Sequence, residues 1–91
     1  MKFIYPAIIS KEADGTFRAR FPDLDGCFAE GFSLDDCIEN ANEAANDWIG
    51  VELEENNPLP DITDLNDIVT DDNEVARNIC INYRFYDGWD E

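Results

Sequence analysis

The chain has 91 residues, 22 of them acidic and 6 basic, with no histidine and a formal net charge of −16. That length supports one domain, and a hydrophobic fraction of 44% with 12% aromatics suits a packed core better than a disordered acidic chain. The charge opposes phosphate backbones and anionic membranes, and the missing histidine excludes Ser-His-Asp and Cys-His catalysis and histidine metal sites.

Residues 3–10 read as a strand, with Phe3, Ile4, Tyr5, Ile8 and Ile9 as β-formers. Pro6 has no N–H for a ladder, so this strand is expected to be an edge there or to turn that nitrogen away from any neighbour. Asp14-Gly15 closes a hairpin onto residues 16–21, where Phe17, Ala19 and Phe21 alternate with Arg18 and Arg20. Pro22-Asp23-Leu24-Asp25-Gly26 is a second turn, and residues 27–31 are a short third strand.

Ser33 caps a helix expected over about residues 34–54. Leu34, Cys37, Ile38, Ala41, Ala44, Ala45, Trp48 and Ile49 recur at helical spacing as its buried stripe. Asp36, Glu39, Glu43 and Asp47 fall on its outside, and Asn56-Asn57-Pro58-Leu59-Pro60 ends it. Thr63 is expected to cap one helical turn over residues 63–68, and residues 75–86 read as the last strand, with Ile79, Ile81, Tyr83 and Phe85 on one face. The element order β-β-β-α-β predicts an α+β fold, one sheet covered by one helix.

Charge is distributed unevenly. Residues 32–74 carry fourteen acids and no Lys or Arg. A helix that is merely soluble mixes signs, because Glu–Lys pairs one turn apart stabilise it and like charges do not. The one-sided composition points to a docking surface for a basic partner. Cys27, Cys37 and Cys80 are odd in number and lack CxxC spacing, which suits a reducing cytoplasm, with Cys27 and Cys37 packing as small apolar residues. No apolar run approaches the roughly 20 residues of a membrane span, and no signal-peptide pattern opens the chain.

Three pieces coincide in order. They are Tyr5-Pro6-Ala7-Ile8 with a following Asp14-Gly15, then Phe21-Pro22-Asp23-Leu24-Asp25-Gly26-Cys27, then Gly31 to Ala44 with its Ser33-Leu34-Asp35-Asp36 start, ahead of Pro58-Leu59-Pro60. Together they resemble the HicB family of antitoxins over roughly residues 3–68. Asp25 stands where that family usually has Pro, Phe32 where Asp is frequent and Cys37 where Ala is common. The resemblance implies a partly degraded ribonuclease-H-like fold. It also implies a partner, a small basic messenger-RNA endoribonuclease of the HicA type. Family members mostly add a C-terminal operator-binding module, which the five residues after Tyr86 are too few to form, so direct operator binding is not expected here.

On this reading the chain is a non-enzyme, with no catalytic residue, metal or cofactor. Asp36, Glu39, Glu43 and Asp47 on the helix, with Asp23 and Asp25 in the second turn, are the candidate partner contacts, although Asx-type turn bonding is the plainer role for the last two. The first and last strands both need edge protection, and Tyr83, Phe85 and Trp89 are candidate contacts in a homodimer or larger homo-oligomer. The alternative is a stand-alone acidic binding or regulatory module with the same fold and no toxin.

Overall fold

The computed structural model describes residues 2–82. Strands β1 (Lys2–Lys11), β2 (Phe17–Arg20) and β3 (Phe28–Gly31) precede helix α1 (Leu34–Glu54), and β4 (Glu74–Asn82) follows it. All strand pairs are antiparallel, and the order across the sheet is β3-β2-β1-β4. This is the expected α+β arrangement of one sheet beneath one helix.

β1 is an inner strand, which corrects the expectation that it would need edge protection; the sheet edges are β3 and β4. Burial is unbroken from Tyr5 through Ser10, and β1 is flanked on both sides from Ile8 onward. Pro6 is tolerated because of the ladder's phase. Asn42 and Asn46 donate to the carbonyls of Cys80 and Asn82, so the even-numbered residues of β4 direct their backbone groups away from β1. Pro6 lies opposite Asn78, at a position where no ladder bond is made, and the pairing of β1 with β2 starts only at Ile8.

The odd-numbered residues of β1 face α1. Tyr5, Ala7 and Ile9 join Ala19, Phe21, Ile79 and Ile81 against Cys37, Ala41, Ala45 and Ile49 of the helix. The alanines let helix and sheet approach closely, and the approach is tightest at the β3 end. A Cβ on Gly31 would lie 2.4 Å from the backbone nitrogen of Cys37. The Ser33 hydroxyl caps α1 by accepting from the Asp36 amide at 3.1 Å. Gly50 remains helical and buried. Trp48, expected in the core, is only half-buried, and its indole nitrogen donates to the Asp25 carbonyl at 2.9 Å. A polar tip that must reach a partner keeps that ring at the margin.

From α1 the chain returns to β4 through residues 56–73, tied down by several hydrogen bonds, with Asn73 paired to the Lys11 backbone at its end. The Tyr5 hydroxyl donates to the Pro60 carbonyl at 2.7 Å. The backbone amide and hydroxyl of Thr63 donate to the Asp23 carboxylate at 2.8 and 2.5 Å. The expected helical turn is a shorter 3-10 turn over Leu65–Asp67, capped by Asp64 instead of Thr63, whose hydroxyl is already committed to Asp23. Strands β2 and β3 are each shorter than expected. The predicted extension of the last strand to Tyr86 lies outside the described residues beyond Asn82.

Candidate functional site

The acids of α1 occupy its solvent side. Asp36, Glu39, Glu43 and Asp47 are all exposed. Among the described residues the ion pairs are Arg18–Glu30 at 2.6 Å and Arg20–Glu74 at 3.0 Å, so none of the four helix acids has a cationic partner there. They form an uncompensated negative ridge along the helix.

Beside this ridge the helix and the outer edge of β3 enclose a cleft. At its upper end a depression of about 270 Å³ is lined by Thr16, Glu30, Gly31, Phe32, Asp36 and Asn40. At its lower end a second, of about 360 Å³, is lined by residues that include Phe28, Ala44, Asp47, Trp48 and Val51. The close contact at Gly31 draws the start of α1 against β3, and the Trp48–Asp25 hydrogen bond fixes the lower wall. Exposed apolar groups cluster here, with Phe32 at 87% and Phe28 at 64% exposure. Aromatic surface thus lies in water beside carboxylates that have no ion-pair partner among the described residues.

Of the residues singled out in the sequence, Asp36 and Asp47 line the cleft, while Glu39 and Glu43 lie on the ridge. Asp25 is exposed in the turn whose carbonyl receives Trp48. Asp23 is half-buried, with its carboxylate bound to Thr63. Tyr83, Phe85 and Trp89 lie outside the described residues. Sequence reasoning missed Asn40, Asn42 and Asn46. Asn40 donates to the Glu30 carbonyl on the β3 edge at 2.8 Å, and the other two reach the β4 edge. Their signal was three asparagines inside one helix, where asparagine propensity is poor. Phe28, Phe32 and Val51 were missed as well, because nothing local marks an apolar residue as exposed.

Cys27 and Cys37 are buried and Cys80 is exposed. Burial pushes the Cys27 thiol up to about 11 and also raises that of Cys37, so neither is a thiolate near neutral pH. Among the described residues no cluster of three or more Cys, Asp or Glu side chains could hold a metal ion. None of their helices is long and apolar enough to cross a membrane.

The architecture is that of the N-terminal domain of the HicB antitoxin from Burkholderia pseudomallei. The two superpose with a TM-score of 0.77 at 18% identity, over 88% of this chain and 99% of that one. A family model described as HicB-like antitoxin of bacterial toxin–antitoxin systems matches residues 5–81, and the chain belongs to this family. A chain of a solved HicA3–HicB3 toxin–antitoxin complex is 31% identical, with a TM-score of 0.67 over 90% of this chain and 99% of that one. A UPF0150 protein of Synechocystis sp. is 34% identical over 56 residues, 62% of this chain and 71% of that protein.

Proposed function

We propose that this chain neutralises a small, basic messenger-RNA endoribonuclease of the HicA type by covering its RNA-binding and active-site surface in the cytoplasm. The observation that carries the reading is the ridge of Asp36, Glu39, Glu43 and Asp47, exposed and without an ion-pair partner among the described residues, in a chain of the antitoxin family. A surface that binds RNA is positively charged, and an antitoxin that offers carboxylates in the place of phosphates competes for the same groups. Complementary charge speeds encounter and selects the partner more than it adds affinity. The solved relative in a toxin–antitoxin complex supports a toxin as the partner.

The test is to produce the chain with the small toxin encoded beside it, score growth rescue, and measure affinity by calorimetry. The triple change Asp36→Lys, Glu39→Lys, Glu43→Lys is expected to keep the circular dichroism spectrum and to weaken binding by at least about tenfold, the scale of one lost interfacial charge contact. Wild-type affinity is expected to fall as salt is raised, because exposed charges are screened over about 8–10 Å near physiological ionic strength. A wild-type chain that neither binds nor rescues would leave the stand-alone acidic module as the better reading.

A further inference from the structure

We infer that the β3 edge and its cleft accept an extended, cation-bearing segment of the toxin as a fifth strand, so that part of the recognition is main-chain pairing. This rests on the antitoxin reading above. The phase of β3 is set by the Phe21 amide, which donates to the Cys27 carbonyl at 3.1 Å and so turns Cys27 toward β2. Alternation then turns the backbone groups of Phe28 and Glu30 outward, away from β2. The Glu30 carbonyl is taken by Asn40. The N–H and C=O of Phe28 and the N–H of Glu30 remain directed at the place where a fifth strand would lie.

The opposite edge also offers free backbone groups, since the same alternation turns the N–H and C=O of Ala76 and Asn78 outward. On β4 the outward carbonyls of Cys80 and Asn82 are held by Asn42 and Asn46, and the amide of Glu74 donates to Asp71. Beneath the β3 edge lie the two depressions, and an added strand would point alternate side chains into them. The spacing suits an extended chain. From Asp36 to Asp47 the helix rises about 16 Å, a distance that about five residues of strand cover.

Charge selects the occupant. Each depression has one unpaired acid at its wall, Asp36 above and Asp47 below, beside apolar surface from Phe32 or from Trp48 and Val51. An arginine or long lysine stem fits this combination, with methylenes on the apolar wall and the cation at the carboxylate. A second copy of this chain fits poorly, because pairing at β3 would bring two acidic helix ridges side by side.

The test is amide hydrogen exchange, residue by residue, on the full isotope-labelled chain alone and with its toxin. The amides of Phe28 and Glu30 are expected to slow by at least about tenfold in the complex, the effect of one retained hydrogen bond each, while Ala76 and Asn78 on the far edge do not change. The pair Asp47→Lys, Val51→Lys should weaken binding at least about tenfold, as for one central contact. Thr70→Lys with Asp72→Lys, which adds the same charge far from the cleft, should weaken it much less. Protection at Ala76 and Asn78 instead, or equal losses from both charge pairs, would overturn the strand addition and leave the antitoxin reading standing. Protection of Phe28 and Glu30 in a toxin-free sample at high chain concentration would overturn it in favour of a second copy. No binding by the wild-type chain would remove the antitoxin reading itself.

Discussion

Asp23→Ala separates a role in holding the fold from a role in partner contact. The carboxylate accepts from the Thr63 amide at 2.8 Å and the Thr63 hydroxyl at 2.5 Å, closing a loop of forty residues between the second turn and the strap that follows α1. A hydrogen bond to a charged group contributes about 1.5–3 kcal/mol in mutational series; with the carboxylate half-buried and both donors able to find water after its removal, about 2 kcal/mol for the pair is the reasonable expectation. In a domain of this size that lowers Tm by about 8–16 °C. Thr63→Val removes the hydroxyl alone and should cost about 1 kcal/mol. The double variant should cost less than the sum, since both changes act on one link. Chemical denaturation of the four proteins measures each term. There is a second readout in Tyr5. Burial raises its phenol pKa first, and the negative Asp23 and Asp61 raise it further, so Asp23→Ala should lower the Tyr5 titration followed by NMR. A cost under about 0.5 kcal/mol, the range of ordinary surface changes, would refute the clip and return Asp23 to the list of partner contacts.

Gly31→Ala should destabilise by about 3 kcal/mol, the upper end for overpacking, because the new Cβ would meet the Cys37 and Asp36 backbone, which cannot rotate aside; an unchanged denaturation midpoint would refute the tight approach of α1 to β3. A thiol reagent at neutral pH should label Cys80 quickly and Cys27 and Cys37 only on unfolding, and Cys80→Ser should remove the fast phase. Glu74 is held below its usual range by the Asp71 amide and then by Arg20, so its contribution to stability is complete above about pH 4.5 and is lost as pH falls through the lowered folded value. The stability gap between wild type and Glu74→Gln should close over that window. Added monovalent salt should raise Tm at neutral pH, since it screens repulsion among the helix acids; a fall would show that the two ion pairs outweigh it.

The helix was the most legible element, since its stripe from Leu34 to Ile49, the Ser33 cap and the Asn56-Asn57-Pro58 stop agree on one segment. The place of β1 was harder to read. Pro6 drew it toward an edge, yet the run from Tyr5 to Ile9 does not alternate in polarity, and a strand buried on both faces reads that way. The acids of the ridge were visible because charge and helical period are local properties. The cleft was not, because it depends on strand order and on how far Gly31 lets α1 approach β3. The stretches that carry the family resemblance meet in space at a bond no local pattern predicts, Tyr5 to Pro60, with Asp23 to Thr63 alongside.

The charge of α1 also explains why asparagines hold it to the sheet. A helix whose residues must all be acidic or neutral on its outer side cannot use Glu–Lys pairs along its own surface. Its repulsion has to be offset elsewhere, and lysines or arginines reaching to the sheet edges would cancel the negative ridge. Neutral amides avoid this conflict. Asn40 ties the helix to β3, and Asn42 and Asn46, one turn apart, tie it to β4, each by a donor near 2.8 Å from a strand carbonyl. These bonds anchor both flanks of α1 without adding positive charge. They also occupy groups that would otherwise invite another strand, two carbonyls on β4 against one on β3. The same residues that let the helix stay acidic thus blunt part of each sheet edge, while Phe28 and Glu30 on β3 and Ala76 and Asn78 on β4 keep outward backbone groups.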